Sequence, residues 1–247
     1  MNRIVTAVVV VVLGLISFGC SDPESDPSNQ SAPEPSSKAT DEAAPRSVIR
    51  PDPLPELASS DESLVVPATA NIFAAGRNSI QLMAAAPGGG GAGTLPPGWR
   101  IRPGSKRVVT FPTVTGRVNF WTGTAKWNGP AGDAIHDTDV ESYQGISGLV
   151  NHRNGSFLVG VFLTKESPLN PAPPRLNYTK PAKSDVIAPE IGQVFFIGDG
   201  TEYRYTVPPA ATRLFLGFVD GRLWQGNPGW YDNNSGKLKS SIAVTKG

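Results

Sequence analysis

From Leu64 onward, short runs of β-branched and aromatic residues alternate with clusters of Gly, Pro, Asn and Asp. In one run Tyr203, Tyr205 and Val207 alternate with polar residues, which is the period-two pattern of a half-buried strand. Many short strands separated by such turns indicate a sandwich or a barrel, and no helix of more than two turns is predicted. The strongest strand candidates are residues 107–111, 116–121, 157–163, 193–197, 202–207, 213–219 and 240–245. We therefore predict an all-β domain, with the Pro-rich stretch 168–181 and the glycine run 88–91 as long surface loops.

The first twenty residues indicate export. Arg3 precedes an apolar run at residues 4–18, and the small Gly19 precedes Cys20. This order is typical of a secretory signal, and the run is shorter than the roughly 20 residues that a membrane-spanning helix needs. Residues 16–20 resemble the lipobox of bacterial lipoproteins, although Ser17 stands where Leu is usual.

That resemblance implies acylation of Cys20 by a diacylglyceryl group and an amide-linked chain. It predicts an exported, membrane-anchored lipoprotein on the periplasmic face or the cell surface. The alternative is a plain secretory signal with an incidental cysteine. Because Cys20 is the single cysteine, a disulfide within the chain is excluded.

The composition divides the rest of the chain into a tether and a domain. Residues 21–63 are rich in Ser, Pro, Asp, Glu and Ala, so they bury too little apolar surface to fold. We predict a signal peptide at 1–19, a lipidated, disordered linker at 20–63 and a β-sandwich domain at 64–247. A formal net charge of +1 argues against a nucleic-acid partner, which would require a basic face.

Residues 227–236 place two amides and a tight turn shortly after the apolar strand that ends at Asp220. Ca²⁺ prefers six to eight oxygen ligands from carboxylates, amides and backbone carbonyls. Asp220, Asn233 and Asn234 offer side-chain oxygens, and the Trp230 carbonyl offers another. The alternative is a simple turn, because Asn and Gly tolerate left-handed backbone.

A second stretch, residues 126–136, combines an aromatic residue, turn residues, an acid and a histidine. Alone it favours a solvated loop with Trp127 in the core. The two stretches together resemble the LecA-type, calcium-dependent galactophilic lectins. The residues that carry the resemblance are Lys126, Trp127, Gly129, Pro130, Gly132, Asp133, His136, Asp220, Pro228, Gly229, Tyr231, Asn233, Asn234, Ser235 and Gly236, with Asn128 as a one-residue insertion.

The resemblance implies a jelly-roll, galactose-binding-domain-like β-sandwich with one Ca²⁺ at its loop end. It assigns Asp220, Asn233 and Asn234 as side-chain ligands, with backbone carbonyls from Trp230 and Trp121. Two sugar hydroxyls would complete the metal shell, Asp220 and the two asparagines would contact the sugar, and His136 would reach its exocyclic hydroxyl.

This sequence departs from the family between Asp220 and Pro228, where residues 221–227 are inserted beside the expected sugar. Arg222, Trp224 or Gln225 can add contacts there, or the insertion can block the site. The glutamine that contacts sugar in the family has two possible counterparts, Asp139 and Gln144. Of the five tryptophans, Trp121 and Trp127 are assigned mainly to the core, and Trp224 or Trp230 to a sugar face.

The sequence gives little support for a catalytic function. The chain has two histidines and lacks nucleophile-elbow, His-Glu-x-x-His and phosphate-loop motifs. Residues 137–141 resemble the opening of an EF-hand, but Ser142 stands where Gly is required, and we reject that interpretation. We predict a calcium-dependent galactose-type lectin that is not an enzyme. The alternatives are a structural or protein-interaction lipoprotein and a hydrolase of unknown type.

Overall fold

A computed structural model of the chain describes residues 54–57, 62–78, 87–121, 126–180 and 184–246. The predicted signal peptide, Cys20 and most of the predicted linker lie outside these residues. Within the described part of the chain, no helix is long and apolar enough to cross a membrane.

The described residues form strands joined by turns, together with three 3₁₀ helices of one turn each. The 3₁₀ helices are Ile72–Ala74, Arg222–Trp224 and Tyr231–Asn233. The strands are β1 (Ser63–Pro67), β2 (Gly98–Arg100), β3 (Arg107–Thr110), β4 (Val114–Asn119), β5 (Thr138–Val140), β6 (Leu149–Asn151), β7 (Val159–Leu163), β8 (Leu176–Asn177), β9 (Val186–Ile187), β10 (Val194–Phe196), β11 (Arg204–Thr206), β12 (Arg213–Gly217), β13 (Gln225–Gly226), β14 (Ser235–Ser241) and β15 (Ala243–Lys246). The predicted all-β class is confirmed.

These strands form one three-stranded and three four-stranded sheets, and most of the pairs are antiparallel. The strand orders are β1-β14-β4, β10-β7-β12-β2, β15-β3-β11-β9 and β13-β5-β6-β8. Each of the seven predicted runs overlaps a strand. The last run is divided between β14 and β15, because Ile242 interrupts the ladder.

The sheet β10-β7-β12-β2 is buried on both faces. In β7, Phe162 belongs to one apolar cluster, whereas Val161 and Leu163 belong to the other. In β12 the alternation repeats, with Leu214 and Phe215 on opposite faces. This explains why the two strands read as continuous apolar runs rather than as apolar–polar alternation.

The two clusters join this central sheet to its neighbours. Val66, Val109 and Leu238 bring β1, β3 and β14 to the first cluster. Val140 and Leu149 bring β5 and β6 to the second. The core therefore lies on both sides of the central sheet.

One detail of the sequence prediction needs correction. Residues 54–57 fall within the predicted linker, and there Leu57 N–H donates to the Arg100 carbonyl at 2.8 Å. The tryptophan assignment to the core is wrong, because Trp121 and Trp127 are 52% and 47% exposed. Trp99 on β2 and Trp224 in the insertion are the buried ones, at 1% and 6% exposure. Sequence composition shows that a tryptophan is large and apolar but does not show which side of a loop it faces.

Candidate functional site

The strand register brings three separate segments to one edge of the fold. β12 leads into Asp220, and β14 begins directly after Asn234. Because β14 pairs antiparallel with β4 and Ser235 lies opposite Asn119, the start of β14 lies beside the end of β4. Trp121 follows that end. The fold therefore brings the residues predicted as ligands close together at this edge.

Asp220 carries a buried carboxylate with few partners. The residue is only 3% exposed. Oδ1 accepts a hydrogen bond from Gly221 N–H at 2.8 Å, and Oδ2 accepts one from Asn234 Nδ2 at 2.8 Å. None of the ion pairs among the described residues includes it. Burial raises the pKa of the Asp220 carboxyl well above its ordinary value, because two neutral donors offset only part of the desolvation.

Asn234 carries a buried side-chain amide that is bonded to this carboxylate. Its Nδ2 donates to Asp220 and to the Ala68 carbonyl at 3.2 Å, which fixes the amide. Its Oδ1 is buried and has no hydrogen-bond donor in the described part of the chain. A buried oxygen without a partner and a buried carboxylate without a countercharge are both costly, and a hard cation would satisfy both. The residues present thus fit a Ca²⁺ ion.

Tyr231 positions this carboxylate, a role that sequence analysis did not assign. Its hydroxyl accepts from Asp220 N–H at 3.1 Å and donates to the Phe218 carbonyl at 3.1 Å. The side chain is fully buried. Tyr231 belongs to the terminal motif, so the sequence did single it out. The spacing did not indicate that its hydroxyl bonds the backbone at the end of β12.

A cavity of about 340 Å³ opens beside these groups. Its lining residues are Phe120, Trp121, Asp220, Gly221, Arg222, Leu223, Trp224, Trp230 and Asn233. Four of the five predicted calcium ligands thus line one cavity, and the fifth, Asn234, is hydrogen-bonded to Asp220. Among the described residues no three His, Cys, Asp or Glu side chains cluster as a metal site, so any cation here would depend on amide and backbone oxygens.

The insertion 221–227 forms a wall of this cavity. An isolated bridge between Gly221 and Pro228 closes its base. Gln225 and Gly226 form β13, which pairs parallel with β5. Leu223 and Trp224 both have left-handed backbone, with φ of 57°, and their segment turns toward Asp220. The insertion therefore shapes the pocket and leaves it open.

His136 is held beside the insertion. Its Nδ1 lies 2.5 Å from Asp133 Oδ2, and its ring stacks on Trp224 with centroids 4.4 Å apart. Burial alone would raise the pKa of Asp133, but hydrogen bonds from Ile135, His136 and Gly155 outweigh it and lower that pKa. His136 and Trp224 line a small pocket of about 90 Å³ together with Trp121, which places His136 next to the main cavity.

The two candidate counterparts of the family's glutamine lie elsewhere. Asp139 on β5 forms an ion pair with Arg175. Gln144 has left-handed backbone, and its carbonyl accepts from Arg77 at 2.8 Å. Neither residue lines the cavity. Asp137 accepts from Arg153 N–H rather than opening an EF-hand loop.

The glycine run predicted to be a surface loop is packed under the terminal loop. Trp230 Nε1 donates to the Gly88 carbonyl at 2.9 Å, and Trp230 N–H donates to the Gly89 carbonyl at 2.8 Å. Asp232 accepts from Gly93 N–H at 2.8 Å. A Cβ added to Gly91 would lie 2.0 Å from the Asp232 carboxyl carbon. Glycine is favoured here because Gly91 has a φ of 86° and an added Cβ would meet the Asp232 side chain.

Comparisons with known proteins include one similarity to a solved structure. A solved structure described as "EclA N-terminal domain; PllA-like lectin" is similar to this chain with a TM-score of 0.34 and 15% sequence identity. The match covers 74% of this chain and 95% of that chain. No family model and no curated protein matches this sequence.

Proposed function

We propose that the protein is a calcium-dependent carbohydrate-binding lipoprotein whose site is the cavity beside Asp220. The observation that carries the proposal is the buried Asp220 carboxylate, which has no countercharge in the described structure and adjoins the unsatisfied Asn234 Oδ1. Asp220, Asn233 and Asn234 would hold the ion with their side chains, and Trp230 and Trp121 with their carbonyls. Bound Ca²⁺ supplies a positive charge and open coordination positions for neutral hydroxyls.

The protein's own groups provide the remaining features of a sugar site. The Trp121 side chain is half exposed and offers an apolar face beside the polar ligands. Sugars present both hydroxyls and apolar C–H faces, so a mixed lining of this kind suits a neutral saccharide. Trp224 is buried against His136 and would act mainly as a wall, with His136 near the edge of the sugar.

Calorimetric titration of the full chain with Ca²⁺ tests the metal half of the proposal. The parent protein should give a single saturable site, and Asn233→Ala and Asn234→Ala should each weaken it by about tenfold or more, the effect of losing one interaction of about 1.5–3 kcal/mol with a charged group. Asn177→Ala is the matched control, because Asn177 lies on β8 and its amide oxygen accepts only from Thr179 N–H. A parent protein that produces no calcium-dependent heat would contradict the proposal.

A second titration with galactose and other neutral sugars tests the saccharide half. Binding should require Ca²⁺ and should disappear on chelation. Tight calcium binding with no response to any sugar would favour the competing function, a structural or protein-interaction lipoprotein whose calcium site only makes the loops rigid. The insertion 221–227 is the feature that favours this second candidate, since it forms a wall of the cavity where the sugar is expected.

The membrane tether is a further part of the proposal. We infer that Cys20 carries the lipid and that the linker predicted at 20–63 separates the domain from the bilayer. Metabolic labelling with a palmitate analogue should mark the parent chain and leave Cys20→Ser unmarked. A labelled Cys20→Ser variant would rule out this anchor.

A further inference from the structure

Three arginines line a second cavity, which shares no residue with the cavity beside Asp220. Arg77, Arg100 and Arg213 surround a space of about 320 Å³ whose other walls include Leu95 and Phe215. Arg77 follows the 3₁₀ helix Ile72–Ala74, Arg100 ends β2 and Arg213 begins β12.

The strand register forces two of these charges together. Arg213 on β12 lies directly opposite Arg100 on β2 in the antiparallel ladder. Like charges at opposed positions on neighbouring strands repel each other and destabilise the pair. The fold therefore brings positive charges together at this edge of the central sheet.

The described residues do not neutralise this cluster. None of their ion pairs within 4.0 Å involves Arg77, Arg100 or Arg213. Glu166 influences Arg213 electrostatically, but its side chain is 74% exposed and pairs with Lys165. Glu56 forms a backbone β-bridge with Arg100, but its carboxylate pairs with Arg102 instead.

The guanidinium groups are held in place and still have donors to offer. Arg213 donates through Nε to the Thr164 carbonyl and through Nη2 to the Glu166 carbonyl, both at 2.8 Å. Arg100 Nε donates to the Leu54 carbonyl at 2.9 Å. Arg77 donates once, to the Gln144 carbonyl, and its buried Nε has no acceptor in the described structure. Since each guanidinium carries five N–H donors, most of these donors have no acceptor among the described residues.

The surroundings of the three guanidinium groups favour the binding of an anion. Burial lowers the pKa of Arg77 and of Arg213, which shows that both groups are partly removed from water. The Arg213 guanidinium also lies over the Phe215 ring, 5.4 Å from its centroid. Gly76 lets Arg213 approach, because an added Cβ would lie 3.1 Å from Nη2. Forked donors in such a setting match the geometry of a carboxylate, sulfate or phosphate.

We propose that Arg77, Arg100 and Arg213 form a binding site for a small oxyanion, either a free ion or the acidic group of a larger ligand. The site is independent of the calcium proposal. Its recognition chemistry is charge-assisted hydrogen bonding from three converging guanidinium groups to one set of oxygen atoms.

Titration of the full chain with inorganic sulfate, inorganic phosphate and glucuronate tests this proposal, with sodium chloride at matched ionic strength as the reference. At least one of the three probes should bind saturably, and which one binds separates a tetrahedral ion from a sugar carboxylate. Arg100→Gln should weaken binding by about tenfold, the effect of losing a charge-assisted hydrogen bond of about 1.5–3 kcal/mol. Arg213→Gln should do the same, and Arg100→Gln keeps the test decisive if Arg213→Gln unfolds, since Arg100 is exposed.

The matched control is Arg117→Gln, which removes an equally charged, exposed residue from β4, where it lies opposite Lys237. That variant should bind the anion as the parent does. Two results would overturn the proposal. One is the absence of saturable binding for all three probes beyond the chloride reference. The other is equal weakening in Arg117→Gln and Arg100→Gln, which would indicate general charge attraction.

Discussion

At the scale of single residues, the site depends on an acid that the fold buries without compensating its charge. Asp220 has two neutral donors and no basic partner in the described structure, and Tyr231 fixes its backbone. A fold normally avoids such an arrangement unless a cation completes it. Local strain around the site, with left-handed backbone at Leu223, Trp224 and Trp230, is consistent with a functional loop.

The first residue-scale prediction concerns Asp220→Asn in the presence of a chelator. Because the change removes an uncompensated buried charge at constant volume, the free energy of unfolding should rise by about 1 kcal/mol or more. Added Ca²⁺ should stabilise the parent but not this variant. Thermal unfolding with and without Ca²⁺ measures both effects.

Asp232→Asn is the control for that experiment. Asp232 directly precedes the predicted ligand Asn233, but it is exposed and does not line the cavity. It should keep the calcium response. If Asp220→Asn is instead clearly less stable than the parent under chelation, the carboxylate is already satisfied by the fold, and the case for a cation weakens.

The second residue-scale prediction concerns pH and Asp133. Its pKa is lowered in the folded state, so its charge stabilises the fold above the unfolded pKa of about 3.9 and this stability is lost as the pH falls through the folded value. Asp133→Asn should therefore lower the free energy of unfolding at neutral pH by about 1.5–3 kcal/mol, the range for a hydrogen-bonded charge. The difference from the parent should shrink under acidic conditions.

Chemical denaturation of both proteins at several pH values gives this profile. Asp199→Asn serves as a reference, since Asp199 accepts hydrogen bonds only within the exposed turn that contains Thr201. The difference in unfolding free energy between the parent and Asp133→Asn should depend on pH. If it stays constant across the pH range, the charge of the carboxylate does not contribute to stability.

At the scale of elements, the terminal loop and the glycine run 88–91 behave as one unit. The two segments are more than a hundred residues apart in the chain, yet Trp230 donates to two carbonyls of the run. Since Trp230 is a predicted backbone ligand, the run holds part of the site in place. Trp127 of the first loop packs similarly on Gly236, where an added Cβ would lie 2.6 Å from Cζ3.

The element-scale prediction compares Gly91→Ala with Gly89→Ala. Both glycines have left-handed backbone, with φ of 86° and 80°, so each substitution should cost about 1–2 kcal/mol of strain. An added Cβ at Gly89 meets no atom within 4 Å, whereas at Gly91 it meets Asp232. Gly91→Ala should therefore also weaken calcium binding, and Gly89→Ala should leave it close to that of the parent.

Thermal unfolding and calcium calorimetry on the two variants separate strain from contact. Equal calcium affinity in both would show that the terminal loop keeps its shape without the glycine run.

At the scale of the whole molecule, the fold is arranged around a sheet that is buried on both faces. Apolar clusters on its two sides connect it to the other three sheets. The cavity beside Asp220 lies beyond the end of β12 of this sheet, and the arginine cavity lies where the same strand begins. The two candidate sites thus occupy opposite ends of one buried strand, β12.

The sequence by itself determined the all-β class and the main strands, because β-branched and aromatic runs bounded by Gly, Pro and Asn specify local structure. It also suggested Asp220, Asn233 and Asn234 as calcium ligands from their residue types, and this assignment stays a prediction. It missed two- and three-residue strands such as β8 and β13, since so few residues carry no period. It also misplaced Trp121 and Trp127 in the core.

Only the tertiary structure decided which distant groups meet. Strand register placed Trp121 beside Asn234, brought the Tyr231 hydroxyl back to Asp220, and set Arg100 opposite Arg213. It also turned the insertion 221–227 into a cavity wall and the glycine run into a support for Trp230. The physical reason is that local sequence sets backbone preferences, whereas long-range packing fixes register and the direction in which each side chain points.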